Sequence, residues 1–143
     1  MAAAVVFHQF VQDLAHKVHN LGSDTLKLAL TNSAPTTSNT VFGDITEIAA
    51  GNGYTAGGAT ITVTSSSQTA GVYKLIIQDV TITAGGGSIG PFRYAVLYNS
   101  TPTSPLKPLI QYYDYGSPVT LSDGSSFPVD FDGTLGCLKI SIA

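Results

Sequence analysis

Three histidines, His8, His16 and His19, stand close together near the start of the chain. His16 and His19 are three positions apart, a spacing at which two residues of a helix share a face and can bind one metal ion. No cysteine, glutamate or further histidine follows at a ligand spacing, and His8 and His19 would be about 16 Å apart on an ideal helix. The histidines therefore indicate the polar face of a helix, and the sequence predicts neither a metal site nor a cofactor.

Two carboxylates, Asp130 and Asp132, alternate along a predicted strand and so point to the same face. Oxygen ligands of this kind bind calcium, but the other acidic residues form no loop pattern that would complete the coordination. We interpret both as solvated side chains. Asp114, between Tyr113 and Tyr115, is the best candidate for an acid with a shifted pKa, although a tyrosine-rich surface strand is the simpler interpretation.

Covalent catalysis needs a nucleophile that is paired with a base. The single cysteine, Cys137, lies in an apolar segment, which is typical of a buried, unreactive thiol, and a single cysteine cannot form an intramolecular disulfide. The sequence contains no Gly-x-Ser-x-Gly motif, and all three histidines fall on one predicted helix. We therefore predict that the protein is not an enzyme.

Charged residues make up only 10% of the chain, against about 25% in an average protein. Because a free monomer needs surface charge to stay soluble, this deficit favours a protein whose surface is covered in an assembly. A neutral, threonine-rich extracellular module is the alternative. The net charge of −3 argues against nucleic acid and against a polybasic membrane-binding surface.

No stretch has the pattern of a secretory signal or the roughly 20 apolar residues of a membrane span. We therefore expect the protein to be made in a cytoplasm and kept there until assembly.

The segment 5–21 is the one convincing helix in the sequence. Its apolar residues Phe7, Phe10, Val11, Leu14, Val18 and Leu21 fall on one side of a helical wheel. Asn20 or Gly22 can supply a left-handed C-terminal cap. We expect the apolar side to cover the chain's own sheet, with a neighbouring subunit as the alternative.

Alternation of apolar and polar residues predicts several strands. The predicted strands are 25–31, 60–64, 72–83, 91–98, 109–115, 119–121, 127–131 and 135–142. Residues 65–71 are predicted to form a turn, and Asp123-Gly124 to form a hairpin between its flanking strands. The apolar parity changes within 72–83, which predicts a bulge or kink at Gln78–Asp79.

Residues 91–98 are apolar on both faces, so we predict that they form the central strand. Phe92, Tyr94, Val96 and Tyr98 are expected on one of those faces. In the first strand, Leu26, Leu28 and Leu30 are predicted to point inward and Ala29 outward. In the last strand, Leu138, Ile140 and Ile142 are predicted to point inward. Strands without intervening helices predict an all-β fold, an antiparallel β-sandwich or jelly roll with one N-terminal amphipathic helix. We divide the chain into a helical arm, 1–22, and a β-sandwich domain, 23–143.

Three stretches resemble a family of small structural proteins from the virions of tailed bacteriophages. They are HNLGSDTLKLALTNSAP, NTVFGDITEIAAGNGYT and GGGSIGPFRYAVLYN. The likeness runs from Phe7 to about Phe131 and contains no catalytic motif. In size and strand content the chain is also similar to phage capsid cement, or decoration, proteins, which have sandwich or jelly-roll folds and clamp neighbouring major capsid subunits.

The resemblance implies a virion structural protein on the capsid surface that bridges and stabilises major capsid protein subunits and associates with itself as a dimer or trimer. Buried centres of interfaces favour Tyr, Phe and Arg. The candidate interface residues are Phe7, Phe10, Tyr54, Arg93, Tyr112, Tyr113 and Tyr115. Arg93 is also expected to pair with a carboxylate, in the fold or across an interface.

Two other functions stay open. The first is a neck, tail or head-fibre component of the virion, which would share the fold class and the logic of assembly. The tyrosines between 112 and 115 could instead form the aromatic platform of a carbohydrate-binding module for host attachment, although the absence of tryptophan weakens that interpretation.

Overall fold

A computed structural model describes residues 3–142 of the chain. The fold is 48% strand and 8% helix, with antiparallel sheets and one α-helix in the described range. The prediction of an all-β fold with one N-terminal helix is therefore confirmed. The finer assignment to a sandwich or a jelly roll stays a prediction.

The structure comprises one α-helix and ten strands in the described residues. In chain order they are β1 (Ala4–Val6), α1 (His8–Ala15), β2 (Leu26–Thr31), β3 (Ala59–Thr60), β4 (Val63–Thr69), β5 (Val72–Ile77), β6 (Val80–Thr83), β7 (Ile89–Asn99), β8 (Leu109–Leu121), β9 (Ser126–Val129) and β10 (Leu138–Ser141). A short 3₁₀ helix, Phe42–Asp44, lies between β2 and β3.

The strands form three sheets, in the orders β1-β8-β7-β2-β3, β10-β5-β4 and β6-β9. β7 lies in the middle of the five-stranded sheet, as predicted, and both of its faces are covered. Leu97 belongs to the main core, to which all three sheets contribute, whereas Val96 and Tyr98 belong to a smaller cluster on the opposite face. Two apolar faces thus place this strand between two cores.

The predicted faces of β7 and β2 need two corrections. The β7–β8 register shifts between Phe92 and Tyr94, so Phe92 lies in the main core and Tyr94 does not. Ala29 of β2, predicted to face outward, is fully buried in the smaller cluster. Alternation cannot reveal either feature, because a bulge changes parity and alanine suits both surfaces.

The parity change between β5 and β6 is a crossing from one sheet to another. β5 ends at Ile77, and β6 begins at Val80 in a different sheet, which confirms the predicted break at Gln78–Asp79. The Phe131 backbone N–H donates to an Asp79 carboxylate oxygen at 2.8 Å. This bond ties the break to the segment that follows β9.

The helix is shorter than predicted. Residues 4–6 form β1 and pair with β8, because the β-branched Val5 and Val6 suit a strand edge. The helix stops at Ala15, where His16 closes the C-terminus and Lys17, not Asn20 or Gly22, takes the left-handed conformation with φ of 66°. Phe10 and Leu21 nevertheless enter the main core, so this segment covers the chain's own sheets as expected.

Three further predictions about strands are wrong in part. Residues 65–71, predicted as a turn, lie mostly in β4, which pairs with β5, while the predicted strand 60–64 is divided between β3 and β4. The Asp123-Gly124 turn exists, but β8 pairs with β7 and β9 pairs with β6. The turn is held instead by the 84–86 segment, since the Gly86 N–H donates to Asp123 Oδ1 at 3.0 Å.

Candidate functional site

The candidate interface residues divide into buried and half-exposed side chains. Phe7, Phe10, Tyr54 and Tyr113 are at most 4% exposed in the single chain. Within the single chain these four side chains pack in its own apolar clusters, so their role at an interface stays a prediction. Arg93, Tyr112 and Tyr115 are half-buried and keep part of their side chains at the surface.

The three tyrosines of β8 point to three different places. Tyr112 lies near Phe7, with ring centroids 5.3 Å apart, whereas Tyr113 packs edge-on against Phe131 in the main core at 5.8 Å. Tyr115 packs against Phe127, at 4.7 Å. Residue type alone could not separate them, and their rings do not form one continuous platform.

Arg93 of β7 and Asp114 of β8 form a bidentate ion pair. Arg93 Nε lies 2.7 Å from Asp114 Oδ1, and a second nitrogen, Nη2, lies 3.0 Å from Oδ2. This confirms the prediction that Arg93 pairs with a carboxylate. The hydrogen bonds from Arg93 and then from the Gly116 backbone N–H lower the pKa of Asp114, so it stays ionised.

The ion pair adjoins two tyrosines, and together Arg93, Tyr94, Tyr112 and Asp114 make up what we call the Arg93 patch. The guanidinium carbon of Arg93 lies 5.3 Å from the centroid of the Tyr94 ring, within cation–π range. Tyr94 and Tyr112 meet edge to face at 6.3 Å. The Arg93 and Asp114 side chains are about a third exposed, so their paired charges lie partly at the surface.

Tyr54 has a structural role in the glycine-rich loop. Its hydroxyl donates to Glu47 Oε1 at 2.7 Å and accepts from the Leu30 backbone N–H at 3.0 Å. Glu47 Oε1 also accepts from the Gly57 N–H at 2.6 Å, and the Gly57 carbonyl accepts from Tyr98 Oη at 2.6 Å. Burial is the main cause that raises the pKa of Tyr54, and the closed network fixes the loop on β2.

A buried polar cluster joins the end of the helical segment to β7. Asn99, fully buried, places its amide nitrogen 3.1 Å from His19 Nδ1 and 2.7 Å from an Asp24 carboxylate oxygen. The amide nitrogen of Asn99 can only donate hydrogen bonds. Nδ1 of His19 is therefore the acceptor, and the ring proton is on Nε2. That Nε2, and one carboxylate oxygen of Asp13, are buried without a partner in the described residues.

Desolvation lowers the pKa of His19, against the opposing influence of Asp13 and Asp24. The sequence prediction missed this cluster because it placed all three histidines on the polar face of one long helix. The helix ends before His19, which then turns inward and contacts the Phe10 ring at 5.0 Å. The left-handed backbone conformation of Lys17 redirects the chain after the helix. Lysine has no preference for this conformation, so the sequence does not predict it.

Asp130 and Asp132 are the two carboxylates that the sequence analysis considered as calcium ligands and interpreted as solvated. Asp132 Oδ1 accepts from the backbone N–H groups of Thr134 and Leu135, at 2.8 and 2.7 Å, which closes a turn and lowers its pKa. Asp130 and Asp132 are both exposed, as predicted. Across residues 3–142, no group of three or more His, Cys, Asp or Glu side chains is placed to hold a metal ion.

Two open depressions flank the β10-β5-β4 sheet. One, of about 510 Å³, lies on its inner side, where Tyr73 and Ile140 face Leu14, Leu21 and His19. The other, of about 530 Å³, lies on the outer side beside Lys74 and Lys139. Cys137 is half-buried near this sheet, and burial raises the pKa of its thiol to about 12, so it is protonated at neutral pH.

The described helices include none that is long and apolar enough to cross a membrane. No family model, no curated protein and no solved structure matches the chain.

Proposed function

We propose that the chain is a structural protein of a bacteriophage virion, a capsid cement protein that bridges major capsid protein subunits and associates with itself. The observation that carries this proposal is the combination of few charges with large apolar side chains left at the surface. The exposed ones are Val6, Val11, Leu106, Leu135, Ile140 and Ile142. Covering such side chains with a partner is favourable, because it removes apolar surface from water.

The position of these side chains supports adhesion. Ile140 belongs to β10 and Val6 to β1, two strands at the outer edges of their sheets, while Val11 projects from α1 with 66% of its surface exposed. Exposed apolar side chains therefore lie on several different elements of the fold. A subunit that bridges neighbours needs contact surfaces on more than one side.

The Arg93 patch supports a specific contact as well. Tyrosine and arginine are enriched in the energetically important centres of interfaces. The Asp114 carboxylate holds the guanidinium of Arg93 in place at 2.7 Å, so the patch is ordered before a partner arrives. The resemblance to small virion proteins supplies the partner, the major capsid protein, and the location, the capsid surface after assembly in the host cytoplasm.

The test is the position and abundance of the protein in purified particles of the phage that encodes it. A cement protein should be about as abundant as the major capsid protein and should decorate the icosahedral faces in cryo-electron microscopy. Particles assembled without it should lose DNA at a lower temperature, and added purified protein should restore the resistance.

Two results would contradict this proposal. A few copies at one vertex would identify a neck, tail or head-fibre component. Binding to a glycan array, with no binding to capsids, would identify a carbohydrate-binding module.

A further inference from the structure

β10 forms one edge of the β10-β5-β4 sheet, and no strand among the described residues pairs with its outer side. Its other edge is hydrogen-bonded to β5, to which it runs antiparallel, with Leu138 opposite Leu75 and Ile140 opposite Tyr73. An open edge presents unpaired N–H and C=O groups and can accept another strand.

The backbone groups that face outward can be identified from the ladder. The Ile142 N–H donates to the Gly71 carbonyl at 3.2 Å, so Ile142 directs its backbone groups toward the β5 side. Because these directions alternate in an antiparallel strand, Lys139 and Ser141 direct their N–H and C=O groups to the open side.

The side chains of this edge are unusually apolar for an open strand. Ile140 is 36% exposed and Ile142, directly after β10, is 80% exposed. The other edge of the same sheet, β4, instead exposes Ser67, Gln68 and Thr69. The two edges share one sheet, so the apolar character is specific to β10.

We propose that two copies of the chain pair edge to edge through β10, antiparallel, with a two-fold axis at Ile140. In this register Ile140 of one copy lies opposite Ile140 of the other. Leu138 of each copy lies opposite Ile142 of the other, and Lys139 lies opposite Ser141 of the other. The outward N–H and C=O groups of Lys139 and Ser141 then bond to each other across the axis. This edge would be the surface for the self-association proposed above, and its pairing does not require a capsid.

Charge and side-chain pairing select this register. An axis at Lys139 would also pair the backbones, but it would place two lysines directly opposite each other, which is destabilising. Lysine on an edge strand commonly protects it against pairing. With the axis at Ile140, each lysine faces a serine. The apolar side chains of both copies meet on the face of the sheet where Ile140 borders the depression of about 510 Å³.

Analytical ultracentrifugation of the purified chain tests the pairing. The wild-type chain is expected to form a dimer. Ile142→Lys and Ser141→Pro should each raise the dissociation constant by more than about tenfold. Ser141→Pro removes an outward N–H and leaves the ladder to β5 intact, and Ile142 is so exposed that its replacement leaves the monomer folded. Leu106→Lys, at a 57% exposed apolar position in the loop between β7 and β8, is the matched control and should leave the dimer unchanged.

Cross-linking tests the register. In a Cys137→Ala background, Ile140→Cys should form an intermolecular disulfide under mild oxidation, because non-hydrogen-bonded partners lie about 4.5 Å apart at Cα. Lys139→Cys should cross-link much more slowly. The proposal is overturned by a monomeric wild-type chain at high concentration, by a trimer, by dimers that tolerate both β10 variants, or by faster cross-linking at position 139.

Discussion

The amide nitrogen of Asn99 lies 3.1 Å from Nδ1 of His19, although the two residues are 80 positions apart in the chain. Asn99 is the last residue of β7, the central strand, and His19 belongs to the segment that follows α1. The contact therefore joins the N-terminal segment to the middle of the largest sheet. It also requires a neutral imidazole, since Nδ1 can accept only when it carries no proton.

Because His19 is buried, we predict that the free energy of unfolding decreases as the pH is lowered. Because desolvation lowers its pKa below the usual 6.5, the unfolded chain binds more protons than the folded chain under mildly acidic conditions. The stabilisation is complete above about pH 6.5 and is lost as the pH falls from there toward the folded-state pKa, at no more than about 1.4 kcal/mol per pH unit. Urea unfolding at pH 7.5 and pH 5.5 measures the loss.

A variant identifies the residue responsible for that pH dependence. His19→Gln should be less stable at pH 7.5 but should lack most of the decline toward pH 5.5, whereas His16→Gln, at an exposed position, should keep it. The carboxylates Asp44, Asp114 and Asp132 have lowered pKa values, so their contribution is lost only below about pH 3.8, outside this window. Equal slopes for wild type and His19→Gln would exclude His19 as the cause.

Tyr54→Phe should destabilise the fold through one hydroxyl group. Its loss leaves the buried Leu30 N–H and the Glu47 carboxylate each without one partner, at a cost of about 1–3 kcal/mol. Tyr94→Phe is the matched control, because Tyr94 is also buried, at 8% exposure, but its hydroxyl makes no hydrogen bond to the described residues. Thermal unfolding of both variants decides the matter, and equal midpoints would contradict a structural role for the Tyr54 hydroxyl.

The sequence was sufficient for the fold class and for the central strand, because both depend on periodicity. Residues 91–98 are apolar on both faces, and the structure covers both faces. The break at Gln78–Asp79 was predictable for the same reason, since a parity change requires an extra residue or a bend. Which strands pair was not predictable: the Asp123-Gly124 signal marks a turn, but partner choice depends on distant segments.

The candidate site was less predictable, because residue type does not specify burial. Tyr112 and Tyr113 are adjacent, yet one reaches the surface and the other the core. The His19 cluster depended on where the helix ends, and Lys17 adopts its left-handed conformation without a glycine or asparagine to signal it. Only the Arg93 ion pair followed from chemistry alone, since a lone arginine within a strand needs a carboxylate.

Alanine replacement should separate the two adjacent tyrosines. Tyr113→Ala removes a ring that is 3% exposed and contacts Phe131, and should cost about 3–5 kcal/mol. Tyr112→Ala should cost about 1–2 kcal/mol, because its ring is half-buried. If the Arg93 patch contacts the capsid, Tyr112→Ala should also reduce occupancy in a capsid-binding assay. Unchanged occupancy would remove Tyr112 from the contact surface.

Tyr115→Ala should likewise weaken capsid binding if Tyr115 reaches the contact surface. Its ring packs against Phe127, so part of any effect is structural. The stability of the isolated variant, measured by thermal unfolding, separates that part from the loss of binding. Full occupancy by a folded Tyr115→Ala variant would exclude Tyr115 from the interface.

Two glycines with similar backbone angles should respond very differently to alanine. Gly58 has φ of +84° and Gly116 has φ of +88°. A Cβ at Gly58 would lie 2.0 Å from the Leu28 carbonyl oxygen, whereas at Gly116 it would meet nothing within 4 Å. Gly116→Ala should therefore cost about 1–2 kcal/mol from the left-handed conformation alone. Gly58→Ala should cost about 1–3 kcal/mol more, because the loop must move away from β2. Urea unfolding of both variants measures the difference, and similar losses would show that the close contact between the glycine-rich loop and β2 contributes little to stability.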